Sequence, residues 1–377
     1  QNYRRHDPLK NLLFLLICST PETRGGLVNA RRLLRAGVSL PLTILLSGFI
    51  LSGCSGQSQP CKKPSDKQAA HSAGRHLAAE SYSSFDHSHF PFRKWPPLDG
   101  SKPSIIVIGL HGISGASQDF QNLGTHLQES MQGVAVYAPE LRGQGNDPVT
   151  FRRGDIQSRE DWINDLRTFT RLVRQQHPQA CIIWHGESMG ALIALHGLAS
   201  SPDTRSECNA LILSSPIVGI HREVPSWKRN ILRLASGLLP RIKISLETLG
   251  GKDEVLVTND SIHQEQSASN PYHVPAFTLR LLNTLGGMIE SSPQCAKTIS
   301  LPVLILHGGY DIFSRPDAVQ AFSEQFSQSN SVRRNFYPES YHLLLYGHER
   351  DRIPVSYTHL RAHETEADLV CRLLLEK

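Results

Sequence analysis

The sequence predicts an α/β fold: a mostly parallel sheet with helices on both faces and an inserted helical cap. Three observations predict it. Apolar runs without polar alternation recur at Ser104–Leu110, Cys181–Trp184 and Leu301–Leu306, the pattern of parallel strands buried on both faces. Each run passes into a glycine-bearing turn with polar chemistry: His111-Gly112, Gly186-Glu187-Ser188-Met189-Gly190 and His307-Gly308-Gly309. Between Ser215-Pro216 and Leu301 lie roughly eighty residues that such a sheet does not need, and they carry apolar stripes at helical spacing.

From the N-terminus, residues 1–26 read as upstream sequence outside the native protein. The chain opens on Gln1, its first methionine is Met131, and a non-Met start at Leu27 or Val28 fits the basic segment just downstream. Arg31-Arg32-Leu33-Leu34-Arg35 is that basic segment, Val38–Ile50 is apolar, and Leu51-Ser52-Gly53-Cys54 ends the run with small residues before a cysteine. Residues 27–54 thus resemble a bacterial lipoprotein signal, with Cys54 as the lipid-bearing mature N-terminus and Ser55 after it implying sorting to the outer membrane on its periplasmic side. An ordinary secretory signal or a single membrane helix is the alternative, and the apolar run is short for a span of about 20 residues.

Residues 55–80, rich in Ser, Gln, Lys, Pro and His, read as a flexible tether. His71, His76, His87 and His89 recur at no ligand spacing and read as solvated surface, so no metal is expected. Residues 81–354 form the globular domain, with the cap at about 217–298, and Phe90–Trp95 reads as a leading antiparallel strand. The formal charge of +5 partly reflects the arginines near the signal and is no argument for nucleic acid. Of seven cysteines, Cys61, Cys181, Cys208 and Cys295 remain for the mature domain. A bridge between Cys181 and Cys208, which precede adjacent strands, and free buried thiols are both open.

The chemistry concentrates at strand ends. Ser188 lies in a Gly-x-Ser-x-Gly turn between a strand and the helix-like Ala191–Ala199. That spacing allows a strained serine to stand above the sheet edge, because glycines on either side remove the Cβ atoms that would clash. Asp311 follows the Leu301 strand, and His342 follows the strand Val332–Tyr337. A serine nucleophile needs a base near neutral pKa and a carboxylate to hold the base's tautomer, in the chain order Ser, Asp, His. In this geometry the backbone amides of Ile113 and Met189 converge on the carbonyl oxygen as it becomes an oxyanion. Glu187, His185 and His111 also lie near the nucleophile and read as positioning residues.

Taken together, Leu110-His111-Gly112, Tyr137-Ala138-Pro139-Glu140-Leu141-Arg142-Gly143-Gln144-Gly145, Gly186–Gly190, Ser215-Pro216, His307–Asp311 and Tyr341-His342 resemble the monoacylglycerol lipase and lysophospholipase branch of the serine α/β-hydrolases. The resemblance covers roughly residues 82–353. It implies an eight-stranded sheet, Ser188, Asp311 and His342 as catalytic triad, Ile113 and Met189 as oxyanion hole, no cofactor, and a lipid ester as substrate. Glu140, Gln144 and Ala191 stand where the family usually has Asp, His and Gly, which bears on substrate range more than on reaction type.

In the cap, Trp227, Ile231, Leu234 and Leu238 form one helical stripe, and Phe277, Leu281, Leu285 and Ile289 form a second within Ala276–Ile289. Each packs onto the core or lines an apolar tunnel over Ser188, with Asn270 and His273 nearby and unassigned. Residues 355–377 resemble one reading frame of a transposase-type sequencing adapter, so the family's closing helix is expected to be missing. The expected function is hydrolysis of single-chain lipid esters, monoacylglycerols or lysophospholipids, through an acyl-enzyme. Hydrolysis of short soluble esters, an aminopeptidase-like amidase activity, and a non-catalytic envelope lipoprotein that binds lipid or a partner are the alternatives.

Overall fold

The computed structural model describes residues 76–219, 226–245, 272–346 and 350–353. Cys54 with its signal segment, nearly all of the tether, Asn270 in the cap and the tail 355–377 lie outside the described residues.

Eight strands form one sheet: β1 (Ser81–Ser83), β2 (His89–Trp95), β3 (Ile105–Leu110), β4 (Val134–Pro139), β5 (Cys181–Glu187), β6 (Ala210–Ser214), β9 (Val303–Gly308) and β10 (Val332–Tyr337). A separate two-stranded ribbon pairs β7 (Lys243–Ser245) with β8 (Ala276–Thr278). The large sheet has the order β1-β2-β4-β3-β5-β6-β9-β10. The pairs β1–β2 and β2–β4 are antiparallel and all the others parallel, as the sequence predicts for the strand at Phe90–Trp95. An isolated bridge from Leu77 to Tyr82 extends the ordered edge a few residues upstream of β1.

The central strands alternate between two apolar clusters with period two, although both faces are apolar. Ile106, Ile108, Leu110, Ile182, Trp184, Leu211, Leu213, Val303 and Ile305 face one cluster, completed by α2 (Arg159–Gln176), α3 (Met189–Ala199), α5 (Leu279–Ala296) and α6 (Pro316–Ser323). Val107, Ile183, Ile212, Leu304 and Leu306 face the other, covered by α1 (Gln121–Ser130) and by Leu344, Leu345 and Ile353. Order reverses at β3, whose two neighbours are β4 and β5, and ligands of parallel sheets gather at the strand C-termini beside such a reversal. The loops after β3, β5, β9 and β10 all emerge at that edge.

The cap differs from expectation in two ways. The predicted helix at Ala276–Ile289 starts with the strand β8, and α5 begins only after Thr278, whose hydroxyl accepts the Leu281 amide at 3.2 Å as an N-cap. Phe277, Leu281 and Leu285 are buried as the stripe predicts. The stripe on α4 (Ser226–Leu238) is not: Trp227, Leu234 and Leu238 are 49%, 66% and 71% exposed. Helical periodicity reports an amphipathic face but not which surface covers it. No disulfide links Cys181, Cys208 and Cys295. Cys208 is fully buried, its thiol pushed well above the ordinary value by burial, whereas Cys181 is half-buried at the start of β5.

The loop after β4 is pinned by an ion-pair cluster in which Arg142 and Asp165 are buried and Asp86 is exposed. Arg142 donates from Nε and Nη2 to Asp165 at 2.8 Å each and from Nη1 and Nη2 to Asp86 at 2.8 and 3.0 Å, with its guanidinium 5.0 Å from the Phe90 ring centre. Replacing Arg142 with Met leaves Asp165 buried without its partner, and the expected loss is about 3–5 kcal/mol of folding stability. Urea unfolding measures it, and a loss below about 1 kcal/mol, as for an exposed pair, would contradict this role.

Candidate active site

Strand β5 ends at Glu187 and α3 begins at Met189, so Ser188 alone makes the turn between them, at φ 56° and ψ −113°. A non-glycine residue adopts such a backbone only when its surroundings hold it there. The neighbouring glycines allow those surroundings to close in. A Cβ on Gly186 would lie 2.3 Å from the Gly190 carbonyl oxygen, and one on Gly190 would lie 2.0 Å from the carbonyl oxygen of Leu110 on β3. The Ser188 amide donates to Ser214 O at the end of β6, at 2.9 Å.

The structure brings Ser188, Asp311 and His342 together as one hydrogen-bonded chain. Ser188 Oγ lies 2.9 Å from His342 Nε2, and His342 Nδ1 lies 2.9 Å from Asp311 Oδ2. All three are at most 3% exposed. Asp311 Oδ1 accepts the Phe313 and Ser314 amides at 2.8 and 3.3 Å, which leaves Oδ2 to the imidazole. Burial works against the Asp311 charge, but His342 and these donors outweigh it and hold the carboxyl below its ordinary value. An ionised Asp311 accepts a proton-bearing Nδ1, so Nε2 carries the lone pair that faces Ser188.

Two contacts fix the imidazole itself. The Phe313 ring packs edge-on against it at 4.6 Å, and Ser215 Oγ donates to the His342 carbonyl at 2.6 Å. The loops after β9 and β10 meet backbone to backbone, since a Cβ on Gly308 or Gly309 would lie 2.4 Å from Ser340 O or 2.2 Å from Pro338 O. The Tyr310 amide donates to Ser340 O at 2.9 Å across the same seam.

The turn after β3 runs alongside the serine, where a Cβ on Gly112 would lie 3.3 Å from Ser188 Cβ. His111 is buried beneath it. Its Nε2 accepts the Leu141 amide at 3.1 Å, so the proton sits on Nδ1, which donates to Gly112 O at 3.0 Å. Glu140 accepts from the Ser117 amide and hydroxyl at 3.1 and 2.6 Å through Oε1 and from the Asn146 amide at 2.9 Å through Oε2. Gln144 Oε1 accepts the Ser114 amide at 2.9 Å. The sequence marks Glu140 and Gln144 only as departures from the family pattern. Here both brace the loop that carries Ile113, and no local signal reveals contacts 23 to 30 residues apart in the chain. Met189, at the first position of α3, presents one of the helix's unpaired first-turn amides beside Ser188.

Three buried titratable groups stand behind this front. His185 packs edge-on against Phe120, and burial pushes it down to about 3. His307 lies 3.7 Å from Asp311 Oδ2 and is also held below its ordinary value by burial. Burial, then the Asp119 carboxylate, push Glu187 up to about 8, outweighing the nearby Leu345 backbone. Among the described residues no group of three or more His, Cys, Asp or Glu side chains is placed to hold a metal ion.

Residues 101–351 match the family described as serine aminopeptidase, S33. A monoacylglycerol lipase of Mycolicibacterium smegmatis is 26% identical over 249 residues, covering 66% of this chain and 84% of that protein. Among solved structures, the chain is similar to a soluble variant of monoglyceride lipase from Saccharomyces cerevisiae, with a TM-score of 0.64 and 20% identity over 76% of this chain and 97% of that one. It is also similar to a thermostable carboxyl esterase from Bacillus coagulans, with a TM-score of 0.61 and 21% identity over 74% and 95% of the two chains. At these identities the solved structures show the fold.

The Glu187 environment sets a pH dependence of stability. A folded-state value of about 8 against an ordinary 4.5 means that the folded state binds the proton more tightly. The stabilising contribution is therefore complete below the ordinary value and is lost as pH rises through the folded one. The wild-type thermal midpoint should fall between about pH 4.5 and pH 8, and Glu187→Gln should flatten that slope. Identical slopes in the two proteins would place the proton elsewhere.

Proposed function

The chain belongs to the serine aminopeptidase S33 family, and from that membership and the setting of Ser188 we propose that it is a serine ester hydrolase of single-chain lipid esters, monoacylglycerols or lysophospholipids. One observation carries the reading: a buried serine on a strained strand-to-helix turn is hydrogen-bonded to an imidazole whose other nitrogen is held by an ionised carboxylate. The α/β-hydrolase fold and the 26% identity to a monoacylglycerol lipase support the lipid side of it.

In this reading His342 Nε2 takes the Ser188 hydroxyl proton as Oγ attacks the ester carbonyl. Charge moves onto the carbonyl oxygen, where the amides of Ile113 and Met189 receive it, each donor contributing about 2.7–4 kcal/mol of transition-state stabilisation. The imidazolium, stabilised by Asp311, returns the proton to the departing alkoxide, and the acyl group stays on Ser188. Water then repeats the sequence and releases the fatty acid.

Cys54 and its signal segment extend the proposal to location. A lipid anchor at Cys54 gains roughly 0.8 kcal/mol per buried methylene, and the tether lets the domain reach lipid at the bilayer surface. The expected site is the bacterial outer membrane on its periplasmic side.

Two experiments test this function. Turnover of a chain-length series of glycerol monoesters should rise from short to long acyl chains and fall by about 10⁴ in Asp311→Asn, where the amide favours the wrong imidazole tautomer. A preference for acetyl esters or for aminoacyl amides would favour the soluble-ester or amidase reading, and absence of turnover in folded protein would favour a binding role. For the anchor, the precursor made in a bacterial host should incorporate labelled fatty acid and sediment with membranes, while Cys54→Ser should do neither. A soluble wild-type protein with an unmodified N-terminus downstream of residue 54 would refute the anchor and leave the triad untouched.

A further inference from the structure

Ser114 follows the proposed oxyanion donor Ile113 and has a left-handed backbone, φ 61°, which glycine adopts freely and other residues at a cost. A serine there needs a reason, and its side chain supplies one. Ser114 Oγ donates to Val274 O at 2.9 Å, accepts the Val274 amide at 3.2 Å and lies 3.0 Å from His273 Nδ1. A hydroxyl has one proton and two lone pairs, so a protonated His273 Nδ1 completes the set. All three partners belong to two consecutive residues at the base of the cap.

The rest of the turn is equally committed. The Ser114 amide donates to Gln144 Oε1, and the Gly115 amide closes the turn onto Gly112 O at 3.2 Å. On its inner side the turn leaves little room beside the serine, since a Cβ on Gly112 would lie 3.8 Å from Ser188 Oγ. The cap base is in turn stitched to the loop after β4: Thr278 N donates to Gly154 O at 2.8 Å and Gly154 N to Gly143 O at 2.7 Å. One hydroxyl therefore joins the cap to the turn that faces the nucleophile.

We propose that Ser114 is a positioning residue for acyl transfer: its hydroxyl ties the turn carrying the Ile113 amide to His273–Val274, so that seating of the cap sets the oxyanion donor's geometry. This rests on Ser188 being the nucleophile with Ile113 as an oxyanion donor. The role differs from that of an ordinary cap contact, because the bond lies one residue from the donor and 160 residues from its partner in the chain. An oxyanion amide is effective only when aimed at the place where charge develops, and a small displacement forfeits much of its effect.

Ser114→Gly removes the hydroxyl and keeps the backbone preference. With active sites counted by a fluorophosphonate probe, kcat per site on a short p-nitrophenyl ester should fall roughly tenfold to a hundredfold while KM changes little. Affinity for a trifluoromethyl ketone, whose adduct places an oxyanion in the same position, should fall by the same factor as kcat/KM. A merely structural bond would lower the thermal midpoint and the fraction of titratable sites but leave kcat per site and ketone affinity unchanged, and that result overturns the proposal. Should Ser114→Gly not fold, His273→Ala, which removes one of the three partners and leaves the left-handed backbone untouched, carries the same comparison. Failure of the wild-type protein to be labelled at Ser188 would instead overturn the nucleophile assignment on which the proposal rests.

Discussion

The backbone of Ser188 is held where a non-glycine residue does not go unaided, and most of the architecture around it can be read as the means of holding it. The φ of 56° is tolerable only because β5 and α3 approach within backbone contact at Gly186 and Gly190, and because β3 presses its Leu110 carbonyl against the same point. Those approaches need the parallel register that sets Leu110 opposite Gly186 and Glu187 opposite Ser214. That register in turn depends on the period-two division of apolar side chains between two clusters, since a one-residue slip would exchange the faces of a strand. Local strain at one residue is thus balanced by packing distributed over four strands.

The same economy governs the polar groups behind the site. His111, Glu140, Arg142, Asp165, Asp311 and His342 are buried with partners, and their bonds join neighbouring loops, tie the loop after β4 to α2 or fix a ring's tautomer. Glu187 and His307 are buried beside Ser188 and Asp311, and burial is the largest of the influences that favour their neutral forms. In the proposed reaction an uncharged Glu187 also keeps a second negative charge away from the carbonyl that would become an oxyanion.

Much of this was legible in the sequence, for identifiable reasons. Ser188, Asp311 and His342 each stand within a few residues of a strand's C-terminal end, and a strand that runs into a glycine or proline turn at the sheet edge leaves a local mark. The strand Val332–Tyr337 and the burial of Phe277, Leu281 and Leu285 were likewise written in nearby residues. The bracing of the Ile113 turn was not. Ser114, Gln144, His273 and Val274 meet only in the fold, and a serine in a left-handed turn looks like any loop serine. The stripe on α4 misled for a related reason, because periodicity gives a face and not its neighbour. Of the two cysteine readings left open, the structure has the free thiols, with Cys208 buried in the core.

In the proposed reaction acyl transfer passes covalently through Ser188, with His342 moving and Asp311 holding one proton. Rapid acid quench of the reaction with a slowly deacylating ester, followed by peptide mapping by mass spectrometry, tests it directly. One added acyl mass is expected on the peptide containing Ser188, formed in a burst before steady state and absent from Ser188→Ala. An acyl mass on another residue, or turnover without any acylated peptide while Ser188→Ala stays active, would contradict it.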